Sequence, residues 1–293
     1  MSKIAIVTDS TAYLTSDEVA AMHNVFVAPI SFTMKGHVYI EGGVSMDNDE
    51  FYTTLPPTLD KLPTTAPPTP QDMLSLYDKI ADQGYDQIIS IHLTSGITGF
   101  INNLKMFTQN YSKAQIVIYD SHITIEPMAY LVRVASQLAN EGTDLKTILD
   151  KLDELRASIG GVFFVVDDLK NLVTGGRLSN SAAFAGGLLK IKPILNLTED
   201  THQIVPIGKI RTMKKALQNI EDRFAEVYQD TDYPLHVMLS GTNNLKAIED
   251  WQVDFSSRYP DTTTEVGQIG PVVGTHIGSN SFVLSWIKEY FTE

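Results

Sequence analysis

Ile4–Ser10 reads IAIVTDS, and two later stretches echo it: Ile88–Ser95 reads IISIHLTS and Ile116–Ser121 reads IVIYDS. Each is a short, nearly continuous β-branched run, the pattern of a strand covered on both faces. Each closes on a serine. Helical periodicity follows at Ser16–His23, Ile97–Tyr111 and Ile125–Asn140. Strands alternating with helices imply an α/β protein with largely parallel strands. In such sheets ligands collect beyond the carboxyl ends of the strands, so Asp9, Ser95 and Asp120 fall where a shared crevice is expected. The plainer reading of Ser10 and Ser121 is that they cap the next helix.

Outward from these runs, Val25–Met34 and His37–Glu41 read as two strands joined at Lys35-Gly36, and Asn48–Leu55 as a short helix. Pro56–Pro70 is rich in proline and threonine, which reads either as a flexible linker or as a stiff loop pinned by the helix at Gln71–Ala81. A helix at Leu145–Ser158 precedes Gly160-Gly161, the expected boundary between an N-terminal α/β domain (1–160) and a second α/β domain (161–293). Beyond it, strands are expected at Val162–Val166, Lys192–Leu197, Gln203–Gly208, Leu235–Ser240, Thr264–Gln268 and Val272–His276. Helices are expected at Thr212–Gln229, Leu245–Ser257 and Ser281–Phe291.

Bulk composition narrows the function. The 293 residues carry a formal charge of −13, from 22 basic and 35 acidic side chains. Such a surface repels nucleic-acid phosphates and anionic lipid headgroups. With no cysteine, disulfides, thiolate metal sites and thiol nucleophiles are excluded. The N-terminus meets Asp9 too early for the apolar core of a signal peptide, and no apolar run approaches the roughly 20 residues that span a bilayer. A cytoplasmic protein with no stable membrane insertion is expected.

Several signatures are missing. There is no phosphate-binding G-x-x-x-x-G-K-[ST], no G-x-G-x-x-G after the first strand, no G-x-S-x-G elbow and no histidine pair at metal-ligand spacing on a helix. No metal and no cofactor are expected. What remains is a set of hydroxyl-rich loops: Thr64–Pro70 (TTAPPTP), Thr94–Gly99 (TSGITG) and Thr275–Gly278 (THIG). Hydroxyls and backbone N–H groups at such turns suit an anion.

Together these segments resemble the DegV family. KIAIVTDSTAYL is similar to its first strand and turn, and Thr65–Pro70 to its T-S-Q-P-S-P loop, with departures at Ala66, Pro67 and Thr69. Thr94–Gly99 resembles S-S-G-L-S-G, and Thr275–Gly278 resembles T-H-x-G. The most specific match is Val165–Ser179 (VVDDLKNLVTGGRLS) followed by Gly187–Leu195 (GLLKIKPIL).

The resemblance implies a long-chain fatty acid buried between two α/β domains, its carboxylate presented to a separate kinase with a dihydroxyacetone-kinase-like domain that forms the acyl phosphate. By motif, Thr65, Ser95 and His276 are implied to hold the carboxylate, with Thr94, Gly96, Thr275 and Arg177 in support. Neutral hydroxyls leave a carboxylate oxygen nucleophilic, where an arginine fork would grip both oxygens. Burying about 14 methylenes at about 0.8 kcal/mol each contributes roughly 11 kcal/mol before association costs. A hydrogen bond to a charged group contributes only about 1.5–3 kcal/mol. The tail therefore supplies most of the affinity and the head group sets orientation.

Ile97, Phe100, Ile101, Met128, Leu131, Phe184 and Leu188 are the candidates for the tail tunnel, each equally explicable as ordinary core. The small residues Ala182, Ala183, Ala185, Gly186 and Gly187 leave room for a chain or mark close packing. Lys209, Arg211, Lys214 and Lys215 form a basic cluster in an acidic protein, read either as a solvated face or as the docking site for the kinase, with Arg211 the foremost contact. Two other functions compete. One is a serine hydrolase acting on an acyl ester through Ser95 and His276, with Asp9 or Asp120 orienting the histidine. The other is a regulatory module with no small ligand.

Overall fold

The computed structural model describes residues 3–43, 46–55, 61–167, 169–179, 191–198 and 200–291. Its strands are β1 (Ile4–Asp9), β2 (Val25–Ala28), β3 (Ser31–Met34), β4 (His37–Ile40), β5 (Thr64–Ala66), β6 (Gln87–His92), β7 (Gln115–Asp120), β8 (Val162–Val165), β9 (Lys192–Leu197), β10 (Ile204–Ile210), β11 (Leu235–Gly241), β12 (Thr263–Gln268) and β13 (Phe282–Lys288). Its helices are α1 (Ser16–Met22), α2 (Asn48–Thr54), α3 (Pro70–Asp82), α4 (Phe100–Thr108), α5 (Ile125–Asn140), α6 (Leu145–Ala157), α7 (Lys170–Thr174), α8 (Met213–Asp230), α9 (Leu245–Arg258) and α10 (Pro271–Ile277). No helix among the described residues is long and apolar enough to cross a membrane.

The three echoing runs are neighbours in one parallel sheet, ordered β2-β1-β6-β7. The chain leaves β1 toward β2 on one side and later returns to β6 on the other. The carboxyl ends of β1 and β6 thus flank a topological switch point, where a crevice opens. A second sheet, ordered β10-β9-β8-β13-β11-β12, draws all its strands from beyond residue 160. It departs from the largely parallel expectation: only β11 and β12 pair in parallel. A small antiparallel sheet, β4-β3-β5, carries the proline-rich loop, with Thr65 opposite Phe32. Thr64–Ala66 is therefore a paired strand and not a flexible linker.

One buried apolar cluster joins the first sheet, α5 and α6 to the inner face of the second sheet, and includes Ile6, Ile89, Leu131, Phe164 and Ile287. A separate cluster packs α8 and α9 on the outer face through Phe224, Trp251, Phe255 and Trp286.

Three expected elements differ. Val25–Met34 is split at Pro29, which has no N–H to donate to a ladder, and the two halves join different sheets. Val272–His276 is helical: Gly270 caps it, Pro271 takes the first helical position, and its backbone bonds run back four residues, Gly274 to Gly270 and Gly278 to Gly274. Ser281–Phe291 holds the strand β13, buried in the middle of the second sheet between β8 and β11. A strand covered on both faces has no alternation, and its continuous apolar run mimics a helix.

Candidate functional site

An apolar cavity lies between the two halves of the chain. Leu93, Ile97, Thr98, Thr124 and Ile125 line it from the first, and Phe164, Leu197, Ile204, Val272, Val273 and Val283 from the second. Thr65, Arg177 and His276 also face it. Its volume is about 890 Å3, the open mouth included. The lining is mostly aliphatic, which suits an alkyl chain.

Thr65 and His276, 211 residues apart in sequence, meet in this wall, with Thr65 Oγ1 2.9 Å from His276 Nε2. Strand β5 holds Thr65 and the last turn of α10 holds His276. Burial lowers the imidazole pKa to about 4, with the Arg177 guanidinium adding to the effect, so the ring is neutral near pH 7. Nδ1 is buried without a hydrogen-bond partner among the described residues. A bare lone pair is tolerated better there than an orphaned N–H, so the proton belongs on Nε2 and is donated to Thr65. The Thr65 hydroxyl hydrogen is then not used by His276, and Thr65 and Arg177 both face the cavity.

The Gly-Gly-Arg motif explains itself at this point. A side chain at Gly175 would meet His276 Nδ1 at 2.8 Å, so glycine lets the imidazole lie against the end of α7. Gly176 takes the left-handed conformation (φ 67°) that turns Arg177 into the cavity wall. Asn171 Nδ2 donates to the Thr275 carbonyl at 2.9 Å, tying α7 to α10.

Ser95 is half-buried in the turn after β6, and its amide donates to the Asp120 carboxylate at 3.3 Å. The same turn places Ile97 and Thr98 in the cavity wall. Thr94 is buried, and its Oγ1 accepts the Gly96 amide at 3.0 Å, which stiffens the turn. Thr275 is buried too, and its hydroxyl has no hydrogen-bond partner among the described residues. Of the tail candidates, Ile97 lines the cavity. Phe100, Ile101, Met128 and Leu131 are buried in the first half without facing it. Phe184 and Leu188 lie outside the described residues, as do Ala182, Ala183, Ala185, Gly186 and Gly187.

The hydrolase reading finds little support in this geometry. His276 Nε2 faces Thr65, no hydrogen bond among the described residues joins it to Ser95, and no carboxylate orients its Nδ1. Asp9 is engaged elsewhere: its carboxylate accepts His92 Nδ1 at 3.0 Å, the Leu93 amide at 3.1 Å and both donors of Thr11. His92 in turn meets Ser90, and Ser90 meets Tyr77, in a fully buried chain that fixes the switch point.

Thr98, part of the hydroxyl-rich Thr94–Gly99 loop, reaches the wall; sequence reasoning missed Thr124 there, and also Glu41. The Glu41 carboxyl accepts the Val272 amide and the Ser10 hydroxyl, both at 2.7 Å, and so joins the first β-turn to the start of α10. Burial raises its pKa to about 7. Its signal in the sequence is weak, a lone acid after a strand.

Known proteins resemble this chain over nearly its whole length. The family model described as "Uncharacterised protein, DegV family" matches residues 3–289. A DegV domain-containing protein of Listeria monocytogenes is 36% identical over 284 residues, covering 97% of this chain and 98% of that protein. DegV of Bacillus subtilis, a fatty acid binding protein, superposes with a TM-score of 0.87 at 31% identity, over 99% of this chain and 100% of that one. A fatty acid binding DegV family protein of Streptococcus agalactiae gives the same TM-score and coverage at 30% identity. The chain belongs to the DegV family.

Proposed function

We propose that this protein binds one long-chain fatty acid in the cavity between its halves and presents the carboxylate to a separate kinase. That kinase would carry a dihydroxyacetone-kinase-like domain and form the acyl phosphate. The protein itself is then a cytoplasmic binding subunit, with no cofactor and no phosphoryl-transfer chemistry of its own. The observation that carries the reading is an apolar cavity whose wall holds the Thr65–His276 pair beside Arg177. The fatty acid binding described for the Bacillus and Streptococcus relatives supports it. Thr65 and Ser95 would donate to the carboxylate, with His276 fixing the Thr65 hydroxyl. Denaturing extraction of purified protein followed by mass spectrometry should release close to one fatty acid per chain. Protein that carries none, and that takes up none when offered it, would overturn the reading.

Thr65→Val removes the hydroxyl and keeps the shape. Loss of one hydrogen bond to a charged group, about 1.5–3 kcal/mol, is expected to weaken binding by about tenfold to a hundredfold. Titration calorimetry on delipidated protein checks this, and an unchanged affinity removes Thr65 from the head-group site.

Lys209, Arg211, Lys214 and Lys215 are exposed at the end of β10 and the start of α8. We assign this patch to kinase docking. Arg211→Glu should leave fatty-acid affinity within about twofold, as expected of a surface charge that does not face the ligand, while phosphorylation by the kinase falls steeply. Equal phosphorylation of the two proteins would refute the assignment.

A further inference from the structure

The tip of the β9–β10 hairpin carries part of the cavity wall. Leu197 and Ile204, the last pair of its ladder, both line the cavity. Two contacts hold the tip to the first half of the chain. The His122 ring, from the turn after β7, stacks on the His202 ring with centroids 3.6 Å apart and planes 16° from parallel. Beside it, the His202 carbonyl packs so closely on Gly96 that a side chain there would come within 1.9 Å of its oxygen. The stack therefore sits directly against the turn that bears Ser95. Both histidines hold left-handed backbones, φ 62° for His122 and 53° for His202, so the facing rings are maintained against some local strain.

We propose that the His122–His202 stack is a latch on the hairpin tip, and that its opening frees the edge of the cavity for ligand exchange. This rests on the fatty-acid reading above. The tip's other bonds among the described residues stay within the second half: the Ser179 amide donates to the Ile204 carbonyl and the Ser179 hydroxyl to Gln203 Oε1, while the His202 amide donates back to the Thr198 carbonyl. Opening would part Leu197 and Ile204 from the Ile97 side of the wall without breaking the β8–β9 ladder, which ends at Asn196.

The latch should also respond to acid. Two neutral imidazoles stack readily, whereas two imidazolium ions repel. Burial lowers the His122 pKa to about 4, and the charge of Arg156 adds to the effect, as does His202; the carboxylates of Asp120 and Asp153 oppose it. Arg156, on α6, donates to the Asp120 carbonyl at 2.6 Å and to Asp153 at 2.8 Å, so these charges are fixed around the stack. A histidine depressed in the closed state regains an ordinary pKa near 6.5 when released. Lowering the pH from about 6.5 toward 4 then favours the open tip, by up to about tenfold per pH unit. Above pH 6.5 the latch stays shut.

Stopped-flow displacement of a fluorescent 16-carbon fatty acid tests this. His122→Asn tolerates the left-handed backbone and removes the ring; it should release the probe about threefold to tenfold faster than wild type at pH 7. His122→Phe keeps a stacked ring that cannot titrate. Between pH 7 and 5 wild type should accelerate on the order of tenfold more than this variant. His202→Asn should release the probe as fast as His122→Asn at pH 7, which guards against a fold defect at one position. Wild-type release rates in both Asn variants at pH 7, or identical acid responses in wild type and His122→Phe, would overturn the latch. If the probe does not bind wild type, the fatty-acid reading fails, and amide hydrogen exchange decides the latch alone. Residues 200–207 should then exchange faster in His122→Asn than in wild type, and equal exchange overturns it.

Discussion

Ile97→Trp is expected to exclude the proposed fatty acid from the cavity while leaving the fold intact. Ile97 is half-buried in the turn after β6 and lines the cavity opposite the second half of the chain. It lies outside any strand or helix, so the larger ring grows into empty space and not into a packed layer. Overpacking of a core costs about 1–3 kcal/mol, and less is expected here. An indole filling the cavity displaces room for about four methylenes. At about 0.8 kcal/mol each this removes about 3 kcal/mol of affinity, a loss of about two hundredfold. Extraction with mass spectrometry should find little bound acid, and the melting temperature of delipidated protein should move little. Full occupancy in this variant would show that the ligand lies elsewhere.

The second large effect concerns stability. Asp9→Ala should cost about 3–5 kcal/mol of unfolding free energy, because it leaves buried partners of a charged group uncompensated. The carboxylate is fully buried and accepts from four donors. Its loss orphans the Leu93 and Thr11 amides and one nitrogen of His92, a ring that is itself fully buried. Those groups hold the ends of β1 and β6 together at the switch point, so ligand binding should weaken as well. Urea titration measures the first effect. A change below about 1 kcal/mol would mean that this chain of polar groups is dispensable.

The first half was legible because its strands announce themselves locally. Ile4–Asp9, Gln87–His92 and Gln115–Asp120 are β-branched runs with polar ends, and the structure pairs them in one sheet. The end of the chain was not legible, because burial there overrides local pattern. Val272 and Val273 favour a strand by propensity, yet Pro271 and Gly270 start a helix whose last turn carries His276. Phe282–Lys288 has the spacing of a helix face but sits between two strands, where both its faces are covered. The site was half visible. Motif resemblance pointed to Thr65 and His276, but their contact joins residues 211 apart, which no local period encodes. Phe100, Met128 and Leu131 looked equally fit to line a tunnel, since apolar side chains in the core and in a ligand wall share one composition.

The cavity draws its walls from both halves of the chain, so an occupant acts as a shared internal filler. A ligand that binds only the folded form stabilises it by RT ln(1 + [L]/Kd), about 2.7 kcal/mol at a hundred times Kd. If the proposed fatty acid is that occupant, the emptied protein would lose this mutual support and its halves would open more often to proteases. The amount of the protein in a cell would then follow its lipid supply, with scarcity removing the carrier along with the cargo.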